Sequence, residues 1–406
     1  MKIDTLKNLA NFIGSGCTPS RKNISYWNSA DVLWLKTEQL GEYKITSTAE
    51  HISHKAVIEC NLRIYPKNTI SVAMYGEGKT RGNVSLLGAP MTTNQACCNI
   101  EIDDAKIDYR YVYYYLKGQY ENLRQLSAGV RKNLNADDIK NFMIRYPEDK
   151  VTQKKIAAVL GALDNKIALN KKINATLEAM AKTLYDYWFV QFDFPDENGK
   201  PYKASGGKMI FSSELGRDIP VGWEVKSLSE IATVIQGNSP DGSTLNDTGK
   251  GMIFFQGKTD FGFRFPEIRI YTTAPYRLAK KFDTLLSVRA PVGDANMAHE
   301  KCCIGRGLAA IRSDYPSFIY YTLKKLKPYF EKLGNIGTTF DSITKDDVMA
   351  LKISMPNTKL VEKFEDIVSK FDEEIFNKTD ASRRLVALRD WLLPMLMNGQ
   401  INFKEK

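Results

Sequence analysis

Histidine is nearly missing from this chain, with three in 406 residues. His51 and His54 stand close together and His299 far away, and no acidic pair completes a ligand set, so no metal centre is expected. The six cysteines include the adjacent pairs Cys97-Cys98 and Cys302-Cys303 but no C-x-x-C, which argues against a zinc ribbon. Both pairs lie in apolar, strand-like runs, so buried thiols in a reducing compartment are expected. No apolar run reaches bilayer-spanning length. The start, Met1-Lys2-Ile3-Asp4-Thr5-Leu6, has no secretory signature, so a soluble, cytoplasmic protein without membrane contact is expected. Adenine methylation would need an Asn/Asp-Pro-Pro-aromatic stretch and a Gly-rich cofactor loop, and neither occurs. No nuclease set of the Asp…Glu-x-Lys kind occurs either. Ala73-Met74-Tyr75-Gly76-Glu77-Gly78-Lys79-Thr80 fits a loosened phosphate-loop pattern. The residues after Thr80 read as turn and strand, so no helix dipole would face a phosphate. These absences describe a non-catalytic chain with no cofactor.

What is present is a repeat. Gln153-Lys154-Lys155-Ile156 matches Val361-Glu362-Lys363-Phe364, and Asn135-Ala136-Asp137-Asp138-Ile139 matches Thr344-Lys345-Asp346-Asp347-Val348. Tyr113-Tyr114-Tyr115-Leu116 matches Tyr320-Tyr321-Thr322-Leu323. The offsets are 208, 209 and 207, from 361−153, 344−135 and 320−113. Landmarks in one order at nearly one offset indicate a duplicated unit with two similar surfaces. The length suits two or three domains, and 43% hydrophobic residues suffice for packed cores. A net charge of +10 favours a polyanionic partner.

Each repeat has two parts. The first, about 145 residues, consists of short β-like runs broken by Gly, Pro and Asn, with helical stretches at Tyr109 to Gln125 and Ser317 to Leu333. The second is one long helix. Leu163, Ile167, Asn170, Asn174, Leu177, Ala181, Leu184 and Trp188 follow heptad spacing, and the two asparagines are polar breaks of the kind that fix register. Phe364, Ile367, Phe371, Ile375, Leu385, Leu388, Leu392 and Leu396 form the second stripe, which weakens around Lys378 to Ser382. A helix of about 36 residues is roughly 54 Å long. Two such helices are expected to pair antiparallel, with a globule at each end of a rod. The expected class is therefore α/β (α+β): two mixed globules and an antiparallel coiled coil with a pseudo-two-fold internal repeat. The expected boundaries are 1–150 for the first globule and 151–190 for the first helix. A linker follows at 191–222, then the second globule at 223–357 and the second helix with its tail at 358–406.

Arg recognises guanine O6 and N7 in a bidentate manner, and Asn or Gln does the same for adenine. The first unit offers Lys79, Arg81, Asn94, Gln95, Arg131, Lys132 and Asn133 in turn-like contexts. The second offers Gln256, Lys258, Arg264, Arg289 and Arg306, with hydroxyls at Thr338 and Thr339 for phosphate. Double-stranded DNA is the partner these residues suit. The competing reading is a helical scaffold joining two protein-binding globules without DNA.

The motifs also carry a family resemblance. Gly14-Ser15-Gly16-Cys17-Thr18-Pro19-Ser20-Arg21, followed by Tyr26-Trp27 and Trp34, resembles the opening of a target recognition domain of type I restriction-modification specificity subunits. Ser287-Val288-Arg289-Ala290-Pro291-Val292-Gly293-Asp294 and Ile304-Gly305-Arg306-Gly307-Leu308 resemble the central motif of that domain. Gly78 to Gly82 and Thr92 to Ala96 resemble a second variety, and Ile219-Pro220-Val221-Gly222-Trp223 resembles the opening of the second domain. Cys17 stands where glycine is more usual. The resemblance implies a subunit without catalytic activity whose two domains, being of different varieties, read different halves of a split target. It implies helices, Gln153 to Phe189 and Val361 to Leu396, that hold the halves apart and dock two methyltransferase subunits. An ATP-dependent translocating endonuclease subunit joins them. On this reading the partner-binding residues are Leu163, Ile167, Leu177, Leu184, Trp188, Phe371, Ile375, Leu385 and Leu392.

Overall fold

The computed structural model describes residues 1–76, 78–126, 133–334 and 342–401. The chain divides into two compact units. Unit 1 comprises Met1–Asn170 and Ala381–Lys406, and unit 2 comprises Lys171–Asp380. The two long helices, Lys150–Tyr185 and Thr358–Met397, each contribute residues to both units.

The repeat seen in sequence is a repeat of topology. In unit 1 a sheet runs in the order Ala10–Ser15, Cys97–Ile102, Ile70–Ala73, Val84–Leu87, Lys44–Ile45. In unit 2 the order is Thr233–Gln236, Leu308–Arg312, Thr284–Ser287, Ala295–Met297. A second sheet places Val32–Leu35 between Glu50–Ile52 and Thr92–Thr93. Its counterpart places Met252–Phe255 between Ile270–Thr272 and Cys302–Ile304, with the same antiparallel and parallel partners. Each unit also pairs its opening strand with the strand before its long helix: Lys2–Thr5 with Met143–Tyr146, and Glu224–Ser227 with Lys352–Met355.

The local chemistry of the landmarks accounts for their recurrence. Asn135 and Thr344 are N-caps whose side chains accept from the backbone three residues on, while Asp138 and Asp347 reach back to complete capping boxes. The tyrosine runs lie on helices Tyr109–Gly118 and Pro316–Lys325, with Tyr113, Tyr114, Tyr320 and Tyr321 buried. Cys97, Cys98, Cys302 and Cys303 are free and buried, and burial pushes the thiols of Cys97, Cys98 and Cys302 up to about 12. All four are packing residues, as the apolar context suggests.

The helix seams differ from the apolar reading in an instructive way. Ile167, Asn170, Asn174, Ala181 and Trp188 are buried as their spacing suggests. Leu163, Leu177 and Leu184 are only half-buried, and their neighbours Asp164, Glu178 and Tyr185 hold the inner positions. On the second helix Val368 and Asp372 are buried, while Ile367 is 38% and Leu388 43% exposed. At these positions the packed residue is the next one along the chain, and at Asp164, Glu178 and Asp372 it is a charge that a hydrophobic count leaves out. In unit 1 the Asp164 carboxylate accepts from Arg389 Nη1 at 2.6 Å and from the Tyr114 hydroxyl at 2.9 Å. In unit 2 the Arg264 guanidinium is wholly buried. It donates to Glu178 Oε2 at 2.7 Å, to the Tyr321 hydroxyl at 3.0 Å and to Asp372, and lies 3.8 Å over the Tyr320 ring. Lys324 donates to the other Glu178 oxygen at 2.7 Å, and Ser317 donates to Asp372 at 2.8 Å. Burial alone would raise the Glu178 carboxyl, but Arg264 and Lys324 hold it below the ordinary range. Burial raises Asp372 in spite of its partners.

Within each unit the helices run antiparallel. In unit 1 Asp164 faces Arg389 and Asn170 Nδ2 donates to Ser382 Oγ at 3.1 Å. In unit 2 Asn174 Nδ2 donates to Thr379 Oγ1 at 3.1 Å, and Tyr185 stacks edge-on against Phe364. The weak stretch of the second stripe is therefore where hydroxyls meet the two asparagines.

Candidate nucleic-acid interface

In unit 1 four connections meet at one end of the sheets. They follow Ala10–Ser15, follow Val32–Leu35, join Ile70–Ala73 to Val84–Leu87, and join Thr92–Thr93 to Cys97–Ile102. Backbone bonds tie them together. Cys17 N donates to Thr93 O at 2.9 Å, Asn94 N to Leu35 O at 2.9 Å, and Met74 N to Ala96 O at 2.8 Å. The opening motif is explained by this cluster. Trp34 is buried and its Nε1 donates to Cys17 O at 3.1 Å, Trp27 Nε1 donates to Ser20 O at 3.2 Å, and the Arg21 guanidinium lies 3.6 Å over the Trp27 ring.

The expected readers of unit 1 gather here. Lys79 and Gln95 are exposed, and Arg81 and Asn94 are half-buried. The turn bearing Lys79 is held from helix Tyr120–Gln125. Tyr120 donates its hydroxyl to Lys79 O at 2.8 Å, and Arg124 Nη1 donates to Gly78 O at 2.8 Å. Thr80 opens no helix and the chain enters strand Val84–Leu87, as the phosphate-loop argument required. Asn94 turns its oxygen onto its own loop, accepting from Ala96 N at 3.2 Å. Asn133 is exposed beside the cluster, since Leu134 N donates to Met74 O at 3.1 Å. Arg131 and Lys132 lie outside the described residues.

Unit 2 builds the same end from the same connections. Gly305 N donates to Phe255 O at 2.8 Å, Val288 N to Gly307 O at 2.9 Å, and Asn238 N to Ile304 O at 3.0 Å. The central motif is a hairpin loop locked from inside. Ser287 Oγ donates to Pro291 O and accepts from Asp294 N, both at 2.9 Å, which leaves Arg289 exposed near the tip. Gln256 and Arg306 are exposed on adjoining turns, and the buried Asp260 carboxylate fixes the first by accepting from Gln256 N at 2.7 Å. Lys258 is ion-paired with Asp294, which also binds Lys327 at 2.7 Å. Burial would raise the Asp294 carboxyl, but the two ammonium groups hold it below its ordinary range. Thr338 and Thr339 lie outside the described residues.

Two groups of residues need correction. Arg264 is not a surface reader: its side chain is fully enclosed between Glu178 and Asp372 and reaches no solvent. The stripe expected to bind partners is largely consumed within the chain. Ile167, Trp188 and Ile375 are buried, and Leu177, Leu184, Phe371 and Leu392 pack against the cores of their own units. Leu163 and Leu385 are half-buried. An apolar stripe seals whatever apolar surface lies nearest, and here that is the chain itself.

Among the described residues no three His, Cys, Asp or Glu side chains are grouped to hold a metal ion, and no helix is long and apolar enough to cross a membrane. The geometry is that of two related platforms, each presenting basic and amide side chains from equivalent loops.

Residues 1–179 and 220–382 match the type I restriction modification DNA specificity domain, so the chain belongs to that family of specificity subunits. It is 30% identical to the type I restriction enzyme MjaIX specificity subunit of Methanocaldococcus jannaschii, over 97% of this chain and 92% of that protein. It is 24% identical to the HindI specificity subunit of Haemophilus influenzae, over 70% and 74%. The crystal structure of a type I restriction-modification S subunit from M. genitalium superposes with a TM-score of 0.63 at 18% identity, covering 100% of this chain and 96% of that one. That likeness concerns the fold.

Proposed function

We propose that this chain is the DNA-reading subunit of a type I restriction-modification complex, each unit recognising one half of a two-part duplex target. The observation that carries the reading is the duplication of the platform. The same connections in both units bring Lys79, Arg81 and Gln95, and Gln256, Arg289 and Arg306, to the same end of the same sheets. These side chains match the donor and acceptor patterns of base edges and the charge of the backbone. They differ between the units, so the two half-sites differ.

On this reading the chain carries out no chemistry. The long helices set the gap between half-sites and dock two methyltransferase subunits, and a translocating endonuclease subunit completes the complex. The docking surface is then the outer side of the helices. Leu169, Leu388 and Trp391 stay exposed in unit 1, and Met180 and Tyr187 in unit 2. Footprinting of the full chain on its target tests the proposal. Two protected half-sites with a fixed gap are expected, with affinity falling steeply with salt. Inserting one helical turn into both long helices changes the gap. Protection of one continuous site, or an unchanged gap, contradicts the reading, and absence of salt-dependent duplex binding favours the scaffold.

A further inference from the structure

The margin of the second sheet carries an arginine in both units, with different surroundings. In unit 2 strand Leu278–Ala279 runs antiparallel beside Cys302–Ile304, with Leu278 opposite Cys303 and Ala279 opposite Cys302. In unit 1 Tyr65 holds the place of Ala279. It exchanges backbone bonds with Met91 at 2.9 and 3.1 Å, and the next residue, Thr92, pairs with Trp34 as Cys303 pairs with Phe254. Further on, Asn68 and Phe282 both take a left-handed backbone, at φ 74° and 67°. The register therefore matches Arg63 with Arg277 and Leu62 with Tyr276.

In unit 1 the arginine serves the fold. Arg63 Nε and Nη2 donate to the two Glu101 oxygens at 2.9 and 3.0 Å, and the guanidinium lies 4.0 Å over the Phe12 ring. Phe12 and Glu101 are paired across the main sheet, and the corresponding pair in unit 2 is Thr233 and Arg312. That correspondence follows from the third strand, where Ile70 pairs with Ile100 and Thr284 with Ile311. Arg312 is itself spent on Asp283, donating to it at 2.7 Å. Arg277 therefore has neither partner of Arg63, and among the described residues no acid pairs with it. Its guanidinium is exposed, 5.1 Å from the centroid of the Tyr276 ring. Leu62 is buried, whereas Tyr276 is 66% exposed.

The pair stands at the reading end. Ile304 N donates to Arg277 O at 2.9 Å, and Gly305 and Arg306 follow directly. Three neighbouring strands thus end in one row, at Gln256, at Gly305-Arg306 and at Tyr276-Arg277. We propose that Tyr276 and Arg277 form a phosphate-binding site that grips the DNA backbone beside the groove read by unit 2. The inference rests on the DNA-reading function proposed above. Neighbouring strands lie about 4.8 Å apart, and the wall of a ~12 Å major groove stands about 6 Å from its midline. A turn that enters the groove at Arg306 therefore leaves the adjacent strand end facing the phosphate ridge. Guanidinium and phenol both donate to phosphate oxygens, and neither then depends on the base. In unit 1 the matching residues are committed to the fold, so this grip belongs to one half-site.

The test measures binding of the full chain to a pool of random-sequence duplexes at several salt concentrations and sequences what is selected. Arg277→Ala is expected to weaken binding about fivefold, as loss of one exposed ion contact does. It should also reduce the slope of log affinity against log salt by about one, with the selected sequences unchanged. Arg277→Lys keeps the slope. Tyr276→Phe weakens binding without changing the slope, because the hydroxyl carries no charge. Arg63→Ala lowers the melting temperature and leaves the slope as it was. An unchanged slope in Arg277→Ala overturns the inference. A base preference lost at one position overturns it too, since Arg277 is then a reader. So does a fall in melting temperature equal to that of Arg63→Ala, which makes Arg277 a fold residue. A parent that binds no duplex overturns the proposed function itself.

Discussion

Replacing Arg264 by methionine keeps the length of the side chain and removes its charge. The Glu178 and Asp372 carboxylates then stay buried, with Lys324 still donating to Glu178. Breaking a buried ion pair from one side costs about 3–5 kcal/mol, because the surviving charge keeps its desolvation penalty. For a unit of this size the loss corresponds to a drop of roughly 6–20 °C in melting temperature. The pH dependence adds a signature. In the parent, Glu178 has a depressed folded value, so its contribution is present above the unfolded carboxylate range and is lost as pH falls through the folded value. In the variant both carboxylates have folded values raised above the unfolded ones. Their destabilisation is then greatest at neutral pH and fades as pH falls toward the unfolded range. Thermal melts followed by circular dichroism between pH 4 and pH 8 (~, spanning the carboxylate range) should show the two curves converging on the acid side. Arg264→Met/Glu178→Gln/Asp372→Asn should recover part of the loss at neutral pH. A variant that melts within about one degree of the parent, against the several degrees expected, would refute the assignment of Arg264 as a structural pin.

Other consequences are separable by assay. Arg306→Ala should cost about 1–3 kcal/mol and relax one base pair of one half-site, whereas Lys79→Ala should weaken all sequences alike and reduce the salt slope by about one. Competition binding at several salt concentrations distinguishes the two. Burial pushes the Glu365 carboxyl, which accepts from Phe318 N at 2.7 Å, up to about 7. Its stabilising contribution is full below the unfolded carboxylate range and lost as pH rises through about 7, so Glu365→Gln should melt higher than the parent at pH 8 (~ one unit above the folded value) and level with it in acid. Asn174→Ala leaves Thr379 without its amide and should cost about 1 kcal/mol, readable as a shift in denaturation midpoint. Replacing both residues by leucine should restore or exceed parent stability.

The repeat, the helices and the family were legible in the sequence because each rests on local pattern: capping boxes at Asn135 and Thr344, tyrosine runs, and a period near 3.5 residues. The candidate readers were legible as residue types on turns, and most of those described lie together at one end of their unit. Arg264 misled because an arginine between phenylalanines in a glycine-rich loop looks the same whether it faces solvent or two carboxylates on distant helices. Asp164, Glu178 and Asp372 escaped notice for the converse reason: a heptad reading treats charge as exposed.

The central claim is that two platforms in one chain read two halves of one DNA target. Co-expressing the chain with the methyltransferase subunit of its own genome, and mapping methylated adenines by single-molecule sequencing, tests it most directly. The account predicts one split motif with two unlike halves and a fixed gap, and loss of preference confined to one half when Arg306 is replaced. A complex that forms and methylates a continuous motif, or methylates without sequence preference, would contradict it.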